Sequence, residues 1–327
     1  MMTVLATILA GLSSGEMSRA QYYRSLAAQT QAKAGDQWAF YQAKRLRGAL
    51  AEHTLDLLVN SSRPARFDPA DTSRAIGVFA ARLQAVPIGE RGDRLQAIQG
   101  EVAALRQNLD SLLADAQARK VLGTLATLDP PRIAETPIAS SELRSLVDAI
   151  AVQKPEDQTQ ELVRKLDEET LRRAIQDVEA VAATFDEAVK PVQLAIAKAR
   201  TIVARLSETG AQAERSVKTF DVSEAFRANT DFAAARLHYE AARYEAESGI
   251  NLRIGRLYEA SVRRYGFISD RHRVRSTRFF YGMLSAQAAV TIATLALATR
   301  ERNLFWGLAT AVGLAAITFG AYVYVFI

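Results

Sequence analysis

Two long stretches without a charged residue lie at the C-terminal end of this chain, and they constrain its fold more than any other feature. They run from Phe279 to Thr299 and from Leu304 to Ile327. Each is as long as the roughly 20 residues that an α-helix needs to cross about 30 Å of hydrocarbon. Only residues 300–303 separate them, so the two helices must form an antiparallel hairpin. The sequence therefore predicts an integral membrane protein.

The rest of the chain favours an all-α fold. Helix-forming residues dominate, glycine and proline number only 17 and 8 of 327 residues, and no stretch shows the alternation of a strand. We expect a membrane-anchored stalk of long helices, a coiled-coil-like helical domain and a C-terminal transmembrane hairpin. The predicted segments are a short apolar N-terminal segment (1–17), an ascending stalk helix (18–59), a helical tip (60–222), a returning juxtamembrane helix (223–278) and two transmembrane helices (279–299 and 304–327).

The N-terminal segment allows two interpretations. Residues Thr3 to Leu12 form an apolar run that is short for a membrane span and has no basic region before it. The run is either the trailing half of a membrane helix whose beginning is missing or a short helix that leans on the hairpin.

Two apolar stripes in the predicted tip alternate steps of three and four residues, which is typical of a coiled coil or a helix bundle. Such stripes can be buried within one chain or between chains, and they lead us to expect an oligomer. Pro191 lies inside the second stripe and should kink its helix. The first stripe comprises Leu95, Ile98, Val102, Leu105, Leu109 and Leu112, and the second comprises Leu171, Ile175, Val178, Ala182, Phe185, Val189, Val192, Ile196, Ala199, Val203 and Leu206.

A signature segment in the stalk helix carries a family resemblance. Residues 36–44 read Asp-Gln-Trp-Ala-Phe-Tyr-Gln-Ala-Lys. This segment, followed much later by a long helix and a two-helix hairpin, resembles an uncharacterised family of bacterial membrane proteins. The resemblance covers about 20–60 and 225–327. It implies a bacterial protein with three membrane helices, and it supplies no activity.

The signature segment is also the best candidate interaction surface. On a helix, Trp38, Tyr41 and Arg45 share one face, while Phe40 and Lys44 share another. Two interpretations stay open: the segment recognises a partner or a lipid head group, or its aromatic side chains pack against the returning tyrosine-rich helix. The candidate surface comprises Asp36, Trp38, Phe40, Tyr41, Gln42, Lys44 and Arg45.

The flanks of the hairpin carry residues suited to a membrane surface. Four arginines precede the first span and are candidate contacts for lipid head groups: Arg271, Arg273, Arg275 and Arg278. The alternative interpretation is that these arginines only fix the topology. The candidate aromatic anchors at the interface are Tyr281, Trp306, Tyr322 and Tyr324. Within the spans, the amide of Gln287 should face another helix rather than lipid.

No catalytic, cofactor-binding or metal-binding residue is predicted. The chain has no cysteine, its three histidines are far apart, and it has no glycine-rich phosphate loop. We therefore predict a binding or scaffolding protein, not an enzyme, whose partners are membrane lipids, an unidentified protein and a second copy of the chain. No nucleic-acid partner is expected, since the basic excess is confined to the membrane flank. The alternatives are a pore-forming or membrane-perturbing effector and, third, an enzyme without a recognisable motif.

The arginine distribution also predicts location. A multi-pass protein of the bacterial inner membrane should place its more basic side in the cytoplasm. The arginines of the domain side outnumber Arg300 and Arg302 of the hairpin loop, which Glu301 offsets. We therefore expect a cytoplasmic domain, although a family-type N-terminus inside the cell would place the domain in the periplasm.

Overall fold

The computed structural model describes residues 2–86, 93–132, 140–217, 221–299 and 302–326. The chain is 92% helical and its described part contains no strand, which confirms the all-α prediction. Residues 300 and 301 of the hairpin loop lie outside the described residues. The described residues form nine α-helices: α1 (Met2–Ser62), α2 (Pro69–Ala85), α3 (Asp93–Ala114), α4 (Ala116–Thr124), α5 (Ser141–Ala151), α6 (Glu156–Lys165), α7 (Glu168–Ser216), α8 (Ser223–Ala298) and α9 (Arg302–Phe326).

Short polar side chains start several of the shorter helices. The carboxylate of Asp68 accepts a hydrogen bond from Ala70 N, and Pro69 occupies the first turn of α2. Asp115 caps α4 and Ser140 caps α5 in the same manner. Each cap gives a partner to a backbone N–H group that the helix itself leaves unbonded.

The chain divides into two compact units. Unit 1 contains Met1–Asp36, Ile138–Ile175 and Ile254–Ile327, and unit 2 contains Gln37–Pro137 and Gln176–Arg253. The predicted tip, 60–222, is therefore divided between both units. The physical reason lies in α6, whose residues Thr159 and Val163 accept hydrogen bonds from Arg263 and Arg264 of α8.

The core of unit 2 buries the predicted stripes. All six residues of the first stripe are buried in α3, and the α7 residues Ile196, Ala199, Val203 and Leu206 join the same cluster. The rings of Phe67 and Phe232 meet edge to face in this core at 5.2 Å. All of the first stripe and most of the second are thus buried within one chain. The expectation of an oligomer stays a prediction.

Within unit 2, α1 and α8 run antiparallel. Tyr244 packs against Gly48, where an added Cβ would lie 3.4 Å from the Tyr244 side chain. Further along α1, Ala51 packs against Leu237 and Ala241, which come earlier in α8. The helix α7 continues through Pro191, and the predicted kink there stays a prediction.

Within unit 1, α8 and α9 form the predicted antiparallel hairpin. Ala286 packs near Ala316, and Phe279 packs near Val323, so rising numbers in α8 match falling numbers in α9. Among the described residues, these two helices are long and apolar enough to cross a membrane.

The N-terminal segment packs against this hairpin. Ala6 joins the Ala286–Ala316 contact and Leu9 joins the Phe279–Val323 contact. Both interpretations stay predictions, because the end of a membrane-crossing helix would pack against the hairpin in the same way. The segment is not a separate short helix, since α1 continues without a break from Met2 to Ser62.

Candidate functional site

The side chains of the signature segment divide between two faces of α1. Lys44 forms an ion pair with Glu247 of α8, and its Nζ lies 5.5 Å from the centre of the Tyr244 ring. Trp38 is half-buried, and its ring meets Tyr41 edge to face at 5.6 Å. The exposed members of the candidate surface are Asp36, Phe40, Gln42 and Arg45.

The inward face of the segment forms a buried charge cluster. Glu247 is only 7% exposed and lies between two cations, since Arg243 Nε is 3.6 Å from its carboxylate. The Arg243 guanidinium also stacks 4.3 Å above the Tyr244 ring. A buried carboxylate needs such partners, because an uncompensated charge is costly inside a protein. Lys44 therefore contributes to the packing of α1 against α8.

The aromatic residues of the signature behave differently. Phe40 is 54% exposed and does not pack into the chain. The Arg45 Nη1 atom donates a hydrogen bond of 2.9 Å to Tyr41 Oη on the surface of α1. Contacts of Trp38 or Tyr41 with the tyrosine-rich part of α8 stay a prediction.

An apolar stripe on the outward face of α1 was not predicted from the sequence. Leu46, Leu50 and Leu57 are 71%, 63% and 57% exposed and follow one another at steps of four and seven residues. We call these three residues the leucine stripe. Its spacing matches the a and d positions of a heptad. In the same series, Ala39 and Ala43 precede Leu46, and His53 lies between Leu50 and Leu57. That spacing is visible in the sequence. Only the structure shows that α8 contacts the opposite face of α1, through Gly48 and Ala51, and leaves the leucine stripe exposed.

A polar cluster joins α1 to α8 in unit 1. Ser13 and Ser276 each donate a hydrogen bond to the other's backbone carbonyl, at 2.9 and 2.8 Å. One turn further, His272 Nδ1 lies 2.5 Å from the Glu16 carboxylate. The ring of Tyr23 stacks on His272 at 5.7 Å. These contacts hold the start of α1 beside the helix that leads into the hairpin.

The same helix pair continues to Tyr265. Its ring stacks on Tyr23 at 6.2 Å, and its hydroxyl lies 3.4 Å from the carboxylate of Glu168. Burial raises the pKa of Tyr265, and the neighbouring Glu168 carboxylate raises it further. The hydroxyl therefore stays protonated and donates to Glu168 at neutral pH.

The four arginines of the membrane flank do not form one surface. Arg275 Nη1 lies 3.9 Å from the Glu16 carboxylate, and its Nη2 lies 3.4 Å from the Tyr324 carbonyl, so Arg275 contributes to packing of the helices. Arg273 is exposed beside Asp270 and Arg278 is half-buried. Arg271 lines a cavity between α6 and α8 together with Lys154 and Arg263. Sequence reasoning missed this cavity, because Lys154 and Arg263 are more than one hundred positions apart.

The aromatic anchors and the one amide of the spans point outward. Tyr281, Trp306, Tyr322 and Tyr324 are all exposed in the chain. Gln287 is exposed as well, so the prediction that its amide faces another helix is not met within one chain.

In the described part of the chain, no group of three or more histidine, aspartate and glutamate side chains is arranged to hold a metal ion. The arrangements found among the described residues are a buried charge cluster, an exposed leucine stripe and a cavity lined by cations.

Comparison with known proteins gives one family match, which covers the signature segment and only the N-terminal part of the chain. Residues 1–87 match the family described as a domain of unknown function (DUF4337). The match contains α1 and α2, and the C-terminal part of the predicted resemblance, 225–327, lies outside it. No curated protein and no solved structure matches the chain. The comparisons therefore support similarity to an uncharacterised family and supply no activity.

Proposed function

We propose that the chain is an integral protein of the bacterial inner membrane that acts as a self-associating scaffold. In this proposal α8 and α9 anchor it in the bilayer, and unit 2 binds a second copy through the leucine stripe. The proposal depends on one observation, the exposure of Leu46, Leu50 and Leu57 on a face of α1 that no described part of the chain covers.

The anchoring is supported by how little of the two apolar helices is buried. Only 22% and 28% of the residues in their most apolar windows are buried within the chain. A core helix of a soluble protein is buried over most of its surface. Side chains such as Leu297, Leu304 and Val325 instead point outward, where hydrocarbon is the solvent that stabilises them.

A second copy is the occupant that the geometry of the leucine stripe favours. A heptad stripe is complementary to itself, because the same leucines can interdigitate across a two-fold axis. Complete burial of a leucine side chain is worth about 1.5–3 kcal/mol. Six leucines of this exposure contribute roughly 6–11 kcal/mol across two copies, which offsets much of the roughly 4–15 kcal/mol that association costs in lost translational and rotational freedom. Confinement of both copies to one membrane raises their effective concentration further.

Cysteine crosslinking tests the self-association directly, since the natural chain contains no cysteine. We expect Leu46→Cys and Leu50→Cys, expressed singly and mixed, to form disulfide-linked dimers in isolated membranes. Dimers from each of the two single variants indicate a parallel pair, in which every position meets its own counterpart. Dimers from the mixture but from neither single variant indicate an antiparallel pair. The matched control is Leu194→Cys, an equally exposed leucine (58%) on α7 of the same unit. A dimer yield no higher than that of the control would contradict the proposal, as would crosslinking only to a different protein.

A pore is the weaker alternative. The exposed polar residues Gln287, Thr291 and Thr294 lie on one face of α8. They extend over about 10 Å of helix, whereas an aqueous path must cross about 30 Å of hydrocarbon. Conductance of the purified protein in planar bilayers would favour the pore, and its absence is the result we expect.

A further inference from the structure

We propose that the cavity between α6 and α8 in unit 1 binds a phosphate ester with an apolar portion, and that this ligand is an anionic phospholipid. The inference depends on the proposed membrane anchoring and is independent of self-association.

The cavity has the size and lining of a small-molecule site. Its volume is about 660 Å³, within the range of roughly 300–1,000 Å³ that ligand pockets occupy. One wall is a single face of α8, formed by Arg263, Phe267 and Val274 at helical spacing. The opposite wall is α6, which contributes Val163. The apolar side chains provide a surface for a hydrocarbon portion of the ligand.

The charge of the lining favours an anion. Among the described residues that line the cavity, Lys154, Arg263 and Arg271 are cationic and Asp270 carries a carboxylate. Arg263 is held in position, because its Nη1 donates a 3.1 Å hydrogen bond to the hydroxyl of the buried Thr159. A guanidinium has five N–H donors, so Arg263 retains donors for two phosphate oxygens.

The position of the cavity along α8 relates it to the membrane. The uncharged span begins at Phe279, five residues after Val274. At 1.5 Å per residue, Val274 lies about 7 Å and Arg271 about 12 Å from the hydrocarbon boundary. The head-group layer is about 5–8 Å thick on each side of the bilayer. The lower end of the cavity therefore lies at or just above the head groups, and the same α8 face continues through Arg278 to Tyr281.

The geometry assigns different roles to the three cations. Arg271 lies nearest the membrane and would meet the phosphate of a lipid first. Arg263 lies 16 residues before Phe279, about 24 Å from the hydrocarbon boundary. Arg263 and Lys154 would therefore bind the phosphate of a ligand that has left the head-group layer and entered the cavity, with its hydrocarbon portion along Phe267 and Val274. A free phosphate ester from solution would use the same donors, so the source of the ligand is decided by experiment.

Lipid binding to the full-length, delipidated protein in detergent tests this assignment. We expect fluorescent phosphatidylglycerol to bind at least about tenfold more tightly than phosphatidylcholine, because phosphatidylglycerol has a net negative charge, whereas the choline ammonium of phosphatidylcholine is repelled by the cations of the cavity. The double variant Lys154→Gln/Arg263→Gln should lose most of this preference. The matched control is Arg273→Gln, an exposed arginine of the same helix that does not line the cavity.

Several outcomes separate this inference from the proposed anchoring. Equal affinity for both lipids, or a double variant with unchanged selectivity, would overturn the cavity assignment. Glycerol phosphate that competes at the same concentration as phosphatidylglycerol would identify a soluble phosphate ester and overturn the lipid source. Release of the chain from membranes by alkaline carbonate would instead refute the anchoring itself. If the double variant does not fold, Lys154→Gln alone can be tested for loss of lipid selectivity, because Lys154 is exposed and its substitution should not affect folding.

Discussion

Two polar side chains, Tyr239 and Gln287, lie in places where the described part of the chain offers them no hydrogen-bond partner. Tyr239 is 1% exposed in the core of unit 2, and its hydroxyl is buried without a partner. Burial raises the pKa of this phenol above its ordinary value near 10. Gln287 is exposed instead of buried, and in the proposed membrane anchoring its amide would face hydrocarbon.

For Tyr239, removal of the hydroxyl should cost little. An unsatisfied buried hydroxyl carries a desolvation penalty of about 1–3 kcal/mol, so we expect Tyr239→Phe to leave the melting temperature unchanged or raise it. Tyr239→Ala should lower the free energy of unfolding by about 3–5 kcal/mol, because it empties the core. The control is Tyr265→Phe, which removes a hydroxyl bonded to Glu168 and should destabilise unit 1. Stabilities ranked in the reverse order would contradict this account.

The pH dependence of Tyr239 follows from the same burial. The folded protein holds the phenol proton more tightly than the unfolded chain does, so its contribution to stability is complete below about pH 10 and is lost as the pH rises above it. Thermal melts between pH 9 and pH 11 should show a smaller loss of stability in Tyr239→Phe than in the natural protein. An identical loss in both would assign the effect to other groups.

For Gln287, a partner in a second copy would satisfy the amide. Interhelical hydrogen bonds of this kind contribute about 0.6–2 kcal/mol in membranes. We expect Gln287→Leu to leave carbonate-resistant anchoring intact and to reduce the oligomer fraction by severalfold in detergent. An unchanged size distribution, measured by light scattering after size-exclusion chromatography, would show that the amide faces lipid in the natural protein.

At the scale of elements, glycines of α9 allow α1 to approach the hairpin closely. Gly320 lies where an added Cβ would be 3.0 Å from Leu9 Cδ2, and an added Cβ at Gly313 would collide with the side chain of Met2. Ala309 and Ala316 are buried on the same face of α9. The recurrence of small residues in α9 is thus explained by packing within the chain, as in other membrane helices that approach closely.

Enlarging these glycines should displace the start of α1. We expect Gly320→Val to cost about 1–3 kcal/mol, the usual penalty of overpacking, and Gly313→Val to cost less, because the colliding atoms are the end of the flexible Met2 side chain. The control is Gly307→Val, since no atom lies within 4 Å of an added Cβ at that position. Limited proteolysis near residue 15 of the detergent-solubilised variants would measure the displacement. Equal protection of all three variants would show that the approach of α1 does not matter for stability.

The second prediction for an element concerns Pro191 inside α7. Proline in a helix interior costs about 3 kcal/mol because it lacks the N–H donor and clashes with the preceding turn. Pro191→Ala should therefore raise the melting temperature of the solubilised protein. A lower melting temperature would mean that a bend at Pro191 is needed for packing of α7.

At the scale of the whole molecule, topology is the property that remains a prediction. The end of α9 lies beside the residues that precede the α8 span, as the 3.4 Å hydrogen bond from Arg275 to the Tyr324 carbonyl indicates. The C-terminal end of the hairpin and the approach to the first span are therefore on the same side of the membrane. The excess of arginines on that side favours the cytoplasm.

A reporter fused after Ile327 tests this assignment. We expect the fusion to green fluorescent protein to fluoresce and the fusion to alkaline phosphatase to be inactive, since the phosphatase requires the periplasm. Both fusions should be compared with the same reporters placed in the hairpin loop after Arg300. Phosphatase activity at Ile327 but not at Arg300 would place the domain in the periplasm.

Much of the architecture was readable from local patterns. The uncharged runs predicted α9 and the last part of α8, and the three-four stripes predicted which residues of α3 and α7 are buried. The candidate sites were less predictable. The partner of Lys44 is Glu247, and the partners across the basic cavity are equally remote in sequence. No local spacing rule connects residues that only the packing of separate helices brings together.

The sequence by itself determined the helical class, the apolar C-terminal hairpin and the apolar faces of the helices, because hydrophobic periodicity and the length of an apolar run act through neighbouring residues alone. Only the tertiary structure decided which apolar face stays exposed to solvent. The stripes of α3 and α7 are buried within the chain, whereas Leu46, Leu50 and Leu57 are not, since α8 packs against the opposite face of α1. Periodicity states that a face is apolar, and which neighbour covers it depends on contacts between residues about two hundred positions apart.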